Sequence, residues 1–301
     1  MQDSEACVVF GATGAQGGAV VNQLINTGKQ VRALGRDPSK LKTIASGGAQ
    51  TFTLSDFTQS MLDDALAGAS SAFVCVPITV GLDTDELSGL RSSICDALRR
   101  STVTRVVWTS SWVVTAPGRT VSPGFDAVRQ SINEILDLPL QTVVVKPGGY
   151  LENLLTPESR IAIAGGVLPY MLPEGLAYRW ISSEDQARLV QAVLKADSLE
   201  SGEYAIGHMA TGLELAAAAS EALARPIEYT PISPEDFADQ WRSEIGSAAD
   251  RIADDYLDIA NHPHWLGLSD DTSLVQRKFD FTYTDLPHFF AAHATELTAT
   301  S

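Results

Sequence analysis

Cysteine is scarce in this chain. Its 301 residues hold three, Cys7, Cys75 and Cys95, with no Cys-x-x-Cys spacing. An odd, scattered set argues against a disulfide framework or a zinc site. Reduced thiols fit a cytoplasmic setting, and Cys7 and Cys75 sit inside apolar strand-like runs, where a thiol serves as a small packing residue. Basic residues are also short, 21 Lys and Arg against 37 Asp and Glu, for a formal net charge of −16. That field repels phosphate backbones, so direct nucleic-acid binding is disfavoured. No apolar run reaches the roughly 20 residues of a membrane span. The opening seven residues, Met1 to Cys7, lack a basic stretch followed by an apolar one, so no signal peptide is expected. There is no Gly-x-Ser-x-Gly elbow, no Walker loop and no His-Glu-x-x-His pair. His262-Pro-His264 near Asp270-Asp271 does not place ligands on one helical face, so it reads as a surface loop and no metal is expected.

What is present is an alternation of two periods. Apolar runs at Cys7–Phe10, Val31–Leu34, Gln50–Leu54, Ala72–Val76, Val103–Thr109 and Thr142–Val145 are separated by helical stretches. Those stretches lie near Gly17–Thr27, Ser39–Ala45, Gln59–Leu66, Leu87–Arg100 and Ala127–Leu136. Strand–helix repetition at this spacing predicts an α/β fold, a doubly wound Rossmann parallel sheet covered on both faces. After Pro147 the pattern changes. Ser182-Ser-Glu-Asp185 and Ser233-Pro-Glu-Asp236 read as capping boxes opening helices. A strand at Glu203–Ile206, a helix near Leu213–Ala224 and a strand at Ile227–Thr230 complete a smaller α+β lobe. The expected division is a nucleotide-binding domain over 1–148 and a substrate or partner lobe over 149–301.

Gly11-Ala-Thr13-Gly14-Ala15-Gln16-Gly17-Gly18 follows the first strand and opens the first helix, the context that gives a glycine pattern meaning. Gly11 makes the tight turn, Gly14 lets backbone approach a diphosphate, and Gly17 lets the helix pack down. The helix N-terminus then offers unpaired N–H groups to the phosphates. The second strand ends in Gly35-Arg36-Asp37-Pro38. A carboxylate there would accept from the ribose 2′-OH of NAD, whereas Arg36 can grip a 2′-phosphate, with Lys40 in support, so the expected cofactor is NADP(H). Asp37 reads as a helix N-cap with Pro38 at the first position. Asp56 and Phe57 are expected near the adenine, and Val76 and Pro77 beside the inner ribose.

The sequence at this point resembles the NmrA-like family of atypical short-chain dehydrogenases, and within it the animal NADPH-sensor proteins. The resemblance is carried by Val8-Val-Phe-Gly-Ala-Thr-Gly-Ala-Gln-Gly-Gly18, Val31-Arg-Ala-Leu-Gly-Arg-Asp-Pro38, Phe125-Asp-Ala-Val-Arg129 and Pro147-Gly-Gly-Tyr-Leu-Glu-Asn-Leu-Leu155. Ile181-Ser-Ser-Glu-Asp185 and Ile232-Ser-Pro-Glu-Asp-Phe237 add to it, so it spans nearly the whole chain. It implies NADP in a crevice roofed by the C-terminal lobe, with Tyr150, Leu151, Glu152 and Asn153 lining the nicotinamide end. A lysine frequent in the family falls at Arg129, which keeps the charge near the cofactor but cannot relay a proton.

Ordinary members of the wider class protonate with a Tyr that has Lys four residues on. None of the seven tyrosines here has that lysine, and the corresponding positions are Phe125 and Arg129. Ser110 and Ser111 follow the fifth strand, where a substrate contact and plain strand-end hydrogen bonding are equally good readings. Tyr150 is both a candidate proton donor and a candidate aromatic wall. Trp108, Trp112, Tyr170, Met171, Tyr178 and Trp180 either face a flat apolar ligand or form core. Three functions stay open. One is an NADPH-dependent oxidoreductase of a small apolar or aromatic acceptor that needs little acid help. Another is a non-catalytic NADPH/NADP redox sensor with a regulatory protein partner. The third is a biosynthetic cyclase or isomerase. An oligomer is compatible with all three.

Overall fold

Alternating apolar residues build the first strand and divide it between two cores. In β1 (Cys7–Phe10), Val8 and Phe10 point into one hydrophobic cluster, Cys7 and Val9 into another on the opposite face. The same split recurs at Val106 against Val107 and at Val144 against Val143 and Val145. A strand buried on both faces needs helices on both faces, and the chain supplies them. In this computed structural model residues 6–54, 58–76, 84–111, 123–263 and 272–298 are described.

The first half runs α1 (Ala15–Asn26), β2 (Val31–Gly35), α2 (Pro38–Ser46), β3 (Gln50–Thr53), α3 (Gln59–Leu66), β4 (Ser71–Cys75), α4 (Thr84–Arg100), β5 (Arg105–Thr109), α5 (Pro123–Leu136) and β6 (Gln141–Pro147). Asp37 caps α2 as read, accepting from the Ser39 and Lys40 amides. The second half runs β7 (Gly149–Tyr150), a 3-10 turn over Leu151–Leu155, α6 (Pro157–Ala164), β8 (Val167–Tyr170), β9 (Tyr178–Ile181), α7 (Ser183–Lys195), β10 (Gly202–Ile206), β11 (His208–Ala210), α8 (Gly212–Leu223) and β12 (Glu228–Pro231). It ends with α9 (Pro234–Ile245), α10 (Ala248–Asn261), α11 (Thr272–Phe279), α12 (Leu286–Ala292) and α13 (Ala294–Thr298).

Among the described residues seven strands form one parallel sheet in the order β10-β6-β5-β4-β1-β2-β3. The order reverses at β1, the point where such sheets open a crevice beyond their carboxyl ends. The fold is the doubly wound Rossmann type. One sequence expectation is corrected. The strand read at Glu203–Ile206 as part of the smaller lobe is β10, the edge of the main sheet, paired along β6 from Gly202–Val143 to Ile206–Pro147. Helix α7 likewise packs on α1. The segment after residue 148 therefore returns to complete the nucleotide-binding layers before it builds the smaller sheets β11-β9-β7 and β12-β8. The core of one face also continues without a break from Val128 and Ile132 into Tyr170, Trp180, Leu215 and Phe290.

Helix caps set the entry angles of the second half. Ser182 caps α7 by accepting from the Asp185 amide, but the box is incomplete. The Asp185 carboxylate turns instead to the Thr284 amide at 2.9 Å and the Thr284 hydroxyl at 2.8 Å, docking the chain ahead of α12 onto α7. A complete capping box occurs at Thr211 and Glu214, opening α8. Among the described residues no helix is long and apolar enough to cross a membrane.

Candidate cofactor cradle and active site

The glycine turn is shaped by main-chain contacts. Gly11 has φ +71, and a Cβ there would stand 2.5 Å from the Cys75 carbonyl oxygen, so only glycine fits. The Gly14 amide donates to the Gly11 carbonyl at 3.0 Å and the Ala12 amide to Leu34 at 3.0 Å. Gly14 then starts α1 as an extended N-cap with no side-chain cap, and the Gly18 amide returns to Gly14. The amides of Ala15, Gln16 and Gly17 are the orphan donors of that end, where the helix dipole favours an anion. Thr13 leans on the next strand, since a Cβ on Gly35 would meet its Cγ2 at 2.5 Å. That contact brings the end of β2 against the loop and sets Arg36, the next residue, beside it. Arg36 is exposed, with no ion pair among the described residues. Lys40 is exposed one helical turn on. The Ser39 hydroxyl and the Lys40 amide hold the Asp37 carboxyl below its ordinary range. Val76, just past β4, is a core residue. Asp56, Phe57 and Pro77 lie outside the described residues.

Tyr150, expected at the nicotinamide end, is tied inward. Its hydroxyl donates to Gln186 Oε1, and Gln186 Nε2 donates to Thr109 Oγ1 at 3.1 Å. Gln186 is fully buried. Burial pushes the Tyr150 pKa well above its ordinary value, Cys75 and Glu152 add to this, and Gln186 opposes it. Leu151 packs in the core. Glu152 Oε1 accepts from the Ser183 amide at 2.7 Å, at the start of α7, while Oε2 is buried with no partner among the described residues. Burial raises the Glu152 pKa against the bonds from Ser183. The Asn153 side chain bonds the Tyr170 hydroxyl, which donates to Tyr256 at 2.9 Å. The side chains expected to line the nicotinamide end thus anchor the 3-10 turn to α7, β5 and the second lobe.

The Ser110 amide donates to Val145 at 2.9 Å, and its buried hydroxyl has no partner among the described residues. Ser111 is partly buried beside it. Arg129 faces the edge strand. Its Nη1 donates to Glu203 Oε1 at 2.6 Å, and Lys146 Nζ donates to Glu203 Oε2 at 3.0 Å. The cation at the family's lysine position is thereby fixed on β10. The Phe125 side chain, His264, Asp270 and Asp271 lie outside the described residues; His262 Nδ1 pairs with the Asp258 carbonyl at 3.1 Å.

Of the two readings left open for the aromatic residues, the described ones are core. Trp108, Tyr170, Met171, Tyr178 and Trp180 are all buried. Tyr170 packs edge-on against Trp180 (ring centroids 5.0 Å apart) and Phe237 (5.5 Å), and Tyr178 against Trp180 (5.7 Å). Their faces are used by one another, so they add nothing to the case for a flat ligand; Trp112 lies outside the described residues. Three residues at the site escaped the sequence reading. Cys75 donates to Gln16 Oε1 at 3.2 Å rather than only packing, and burial pushes its thiol up to about 12. Its place at the end of β4, next to Val76, was the available signal. Gln186 and Tyr256 carried no local signal.

A parallel sheet with a switch point, a glycine turn and an uncapped helix N-terminus defines a dinucleotide-binding α/β protein of the short-chain dehydrogenase build. The chain belongs to the NmrA-like family, whose sequence pattern matches residues 3–290. It is 28% identical over 293 residues to the NAD(P)H azoreductase of Xenophilus azovorans, covering 95% of this chain and 97% of that one. Its fold matches the NADP(H) complex of Citrobacter sp. triphenylmethane reductase at a TM-score of 0.74, 19% identity, 96% of this chain and 99% of the other. It also matches NmrA, a negative transcriptional regulator in complex with NADP, at 0.68, 17% identity, 96% and 95%.

Proposed function

We propose that this protein binds NADP(H) and uses NADPH to reduce a small conjugated acceptor. The observation that carries the reading is the cradle. A Cβ on Gly11 or Gly17 would strike main-chain oxygen at 2.5 Å or 2.2 Å, and three helix-end amides open beside an exposed Arg36. The Ala15, Gln16 and Gly17 amides would hold the diphosphate, and Arg36 with Lys40 the 2′-phosphate. Bound there, NADPH supplies hydride. The chain's own work is to orient the acceptor and exclude water, because Tyr150 is bonded to Gln186 and position 125 is phenylalanine. The azoreductase relative and the triphenylmethane reductase neighbour support an acceptor of extended conjugation. The test is NADPH oxidation by purified protein across a panel of azo dyes, quinones and iminium compounds. Turnover with any of them supports the reading. Tight binding without oxidation overturns it in favour of an NADPH sensor, which the absent Tyr-Lys pair and the NmrA neighbour support.

A further inference from the structure

Resting on the NADP(H)-binding part of that reading, we propose that Cys75 is a positioning residue of the cradle. It orients the Gln16 carboxamide so that Nε2 donates to the phosphate on the nicotinamide side of the dinucleotide. The glycine turn is wedged between two strand ends. On one side Thr13 leans on Gly35, and Arg36 follows directly after β2. On the other, a Cβ on Gly11 would stand 2.5 Å from the carbonyl oxygen of Cys75, the last residue of β4. β2 and β4 are the two neighbours of β1, so Arg36 and Cys75 lie on opposite flanks of the turn. A guanidinium that grips the 2′-phosphate puts the adenine half on the β2 flank. The dinucleotide then crosses the turn, and its second phosphate falls on the β4 flank.

Gln16 reaches toward that flank. It is the second residue of α1, and its Oε1 accepts from Cys75 Sγ at 3.2 Å. Both residues are half-buried. Tyr150 is close enough to Cys75 to feel it electrostatically, but its hydroxyl is turned to Gln186 and leaves the thiol to Gln16. Burial pushes the thiol up to about 12, so the proton stays on sulfur at neutral pH. A carboxamide whose oxygen is taken by S–H has its NH2 end left to offer. Beside the orphan amides of the helix end, where the dipole favours an anion, that end is a further donor for phosphate oxygen. The thiol also settles the rotamer before the cofactor arrives, so less freedom is lost on binding.

Calorimetric titration of the full chain with three ligands separates the contacts. NADPH carries every group, 2′-phospho-ADP-ribose lacks only the nicotinamide, and 2′,5′-ADP lacks the second phosphate and its sugar as well. Gln16→Leu is expected to weaken the first two about tenfold and 2′,5′-ADP less than about twofold. Cys75→Ala, which leaves the carboxamide unheld, is expected to weaken the first two about fivefold. Cys75→Ser keeps a donor there and is expected to restore them to within about twofold of wild type. In the Gln16→Leu background Cys75→Ala is expected to add nothing, since it acts through Gln16. A merely structural Cys75 would weaken 2′,5′-ADP along with the others and would still do so in that background. That pattern, or a Gln16→Leu variant that binds NADPH as wild type does, overturns the role of Cys75 and leaves NADP(H) binding intact. Loss confined to NADPH also overturns it, because Nε2 would then serve the nicotinamide. Wild-type protein that binds none of the three overturns NADP(H) binding itself.

Discussion

The carbonyl oxygen of Gly11 lies 2.2 Å from where a Cβ on Gly17 would stand. Helix α1 therefore rests directly on the turn that precedes it, and no side chain fits between. Because the obstacle is main chain, Gly17→Ala must lift the helix off the turn. The expected cost is about 1–3 kcal/mol in urea unfolding, with NADPH binding weakened beyond 100-fold by calorimetry. Gly18→Ala is the control. Its Cβ would meet Ala12 O at an ordinary 3.5 Å, and the better helix former is expected to add about 0.5–1 kcal/mol.

Arg36 is the residue expected to choose between coenzymes. A charge-assisted bond to a 2′-phosphate contributes about 1.5–3 kcal/mol, so Arg36→Ala is expected to weaken NADPH about 10- to 100-fold. NADH affinity should change less than threefold by the same titration. Equal loss for both coenzymes would show that Arg36 does not read the phosphate.

Glu203 holds two cations. Its side chain is 24% exposed, against 15% for Arg129 and 16% for Lys146. Burial pushes its pKa up, but Arg129 and Lys146 reverse that and leave it below the usual range. Glu203→Leu leaves like charges facing each other at the sheet edge, and the expected loss is about 2–3 kcal/mol near pH 7. A depressed pKa contributes stability above the ordinary glutamate value and loses it as pH falls through the folded one. The gap between variant and wild type should therefore close below about pH 4.

Asp255 on α10 behaves in the opposite sense. Burial, with Asp258 and Asp254 adding, pushes its pKa up to about 6. A raised value means that the fold favours the neutral acid, so stability is present at low pH and lost as pH rises through about 6. Solvent reaches this carboxyl and screens it, leaving about 1 kcal/mol. Asp255→Asn is expected to raise stability by that amount at pH 8 and to change nothing at pH 4, measured by thermal unfolding at both.

Much of the nucleotide-binding half was legible from short stretches of chain. Helix α3 occupies the predicted residues, Asp37 caps α2, and the glycine turn sits between β1 and α1 as read. The second half was less so. Strands such as β7, β9 and β11 are two to four residues long, too brief to show a period. The aromatic residues were ambiguous because a buried ring and a ligand-facing ring have the same composition signal.

The amino-acid order by itself determined the alternation of strands and helices, the need for glycine at the first turn and a guanidinium after the second strand. Each depends on backbone sterics and periodicity within about ten residues. Tertiary structure alone decided that Glu203 joins the main sheet, that Arg129 pairs with it across 74 residues, and that Gln186 takes the Tyr150 hydroxyl across 36. Those pairings arise when distant segments are packed into one interior. There each buried polar group must find a partner, and local sequence does not name it.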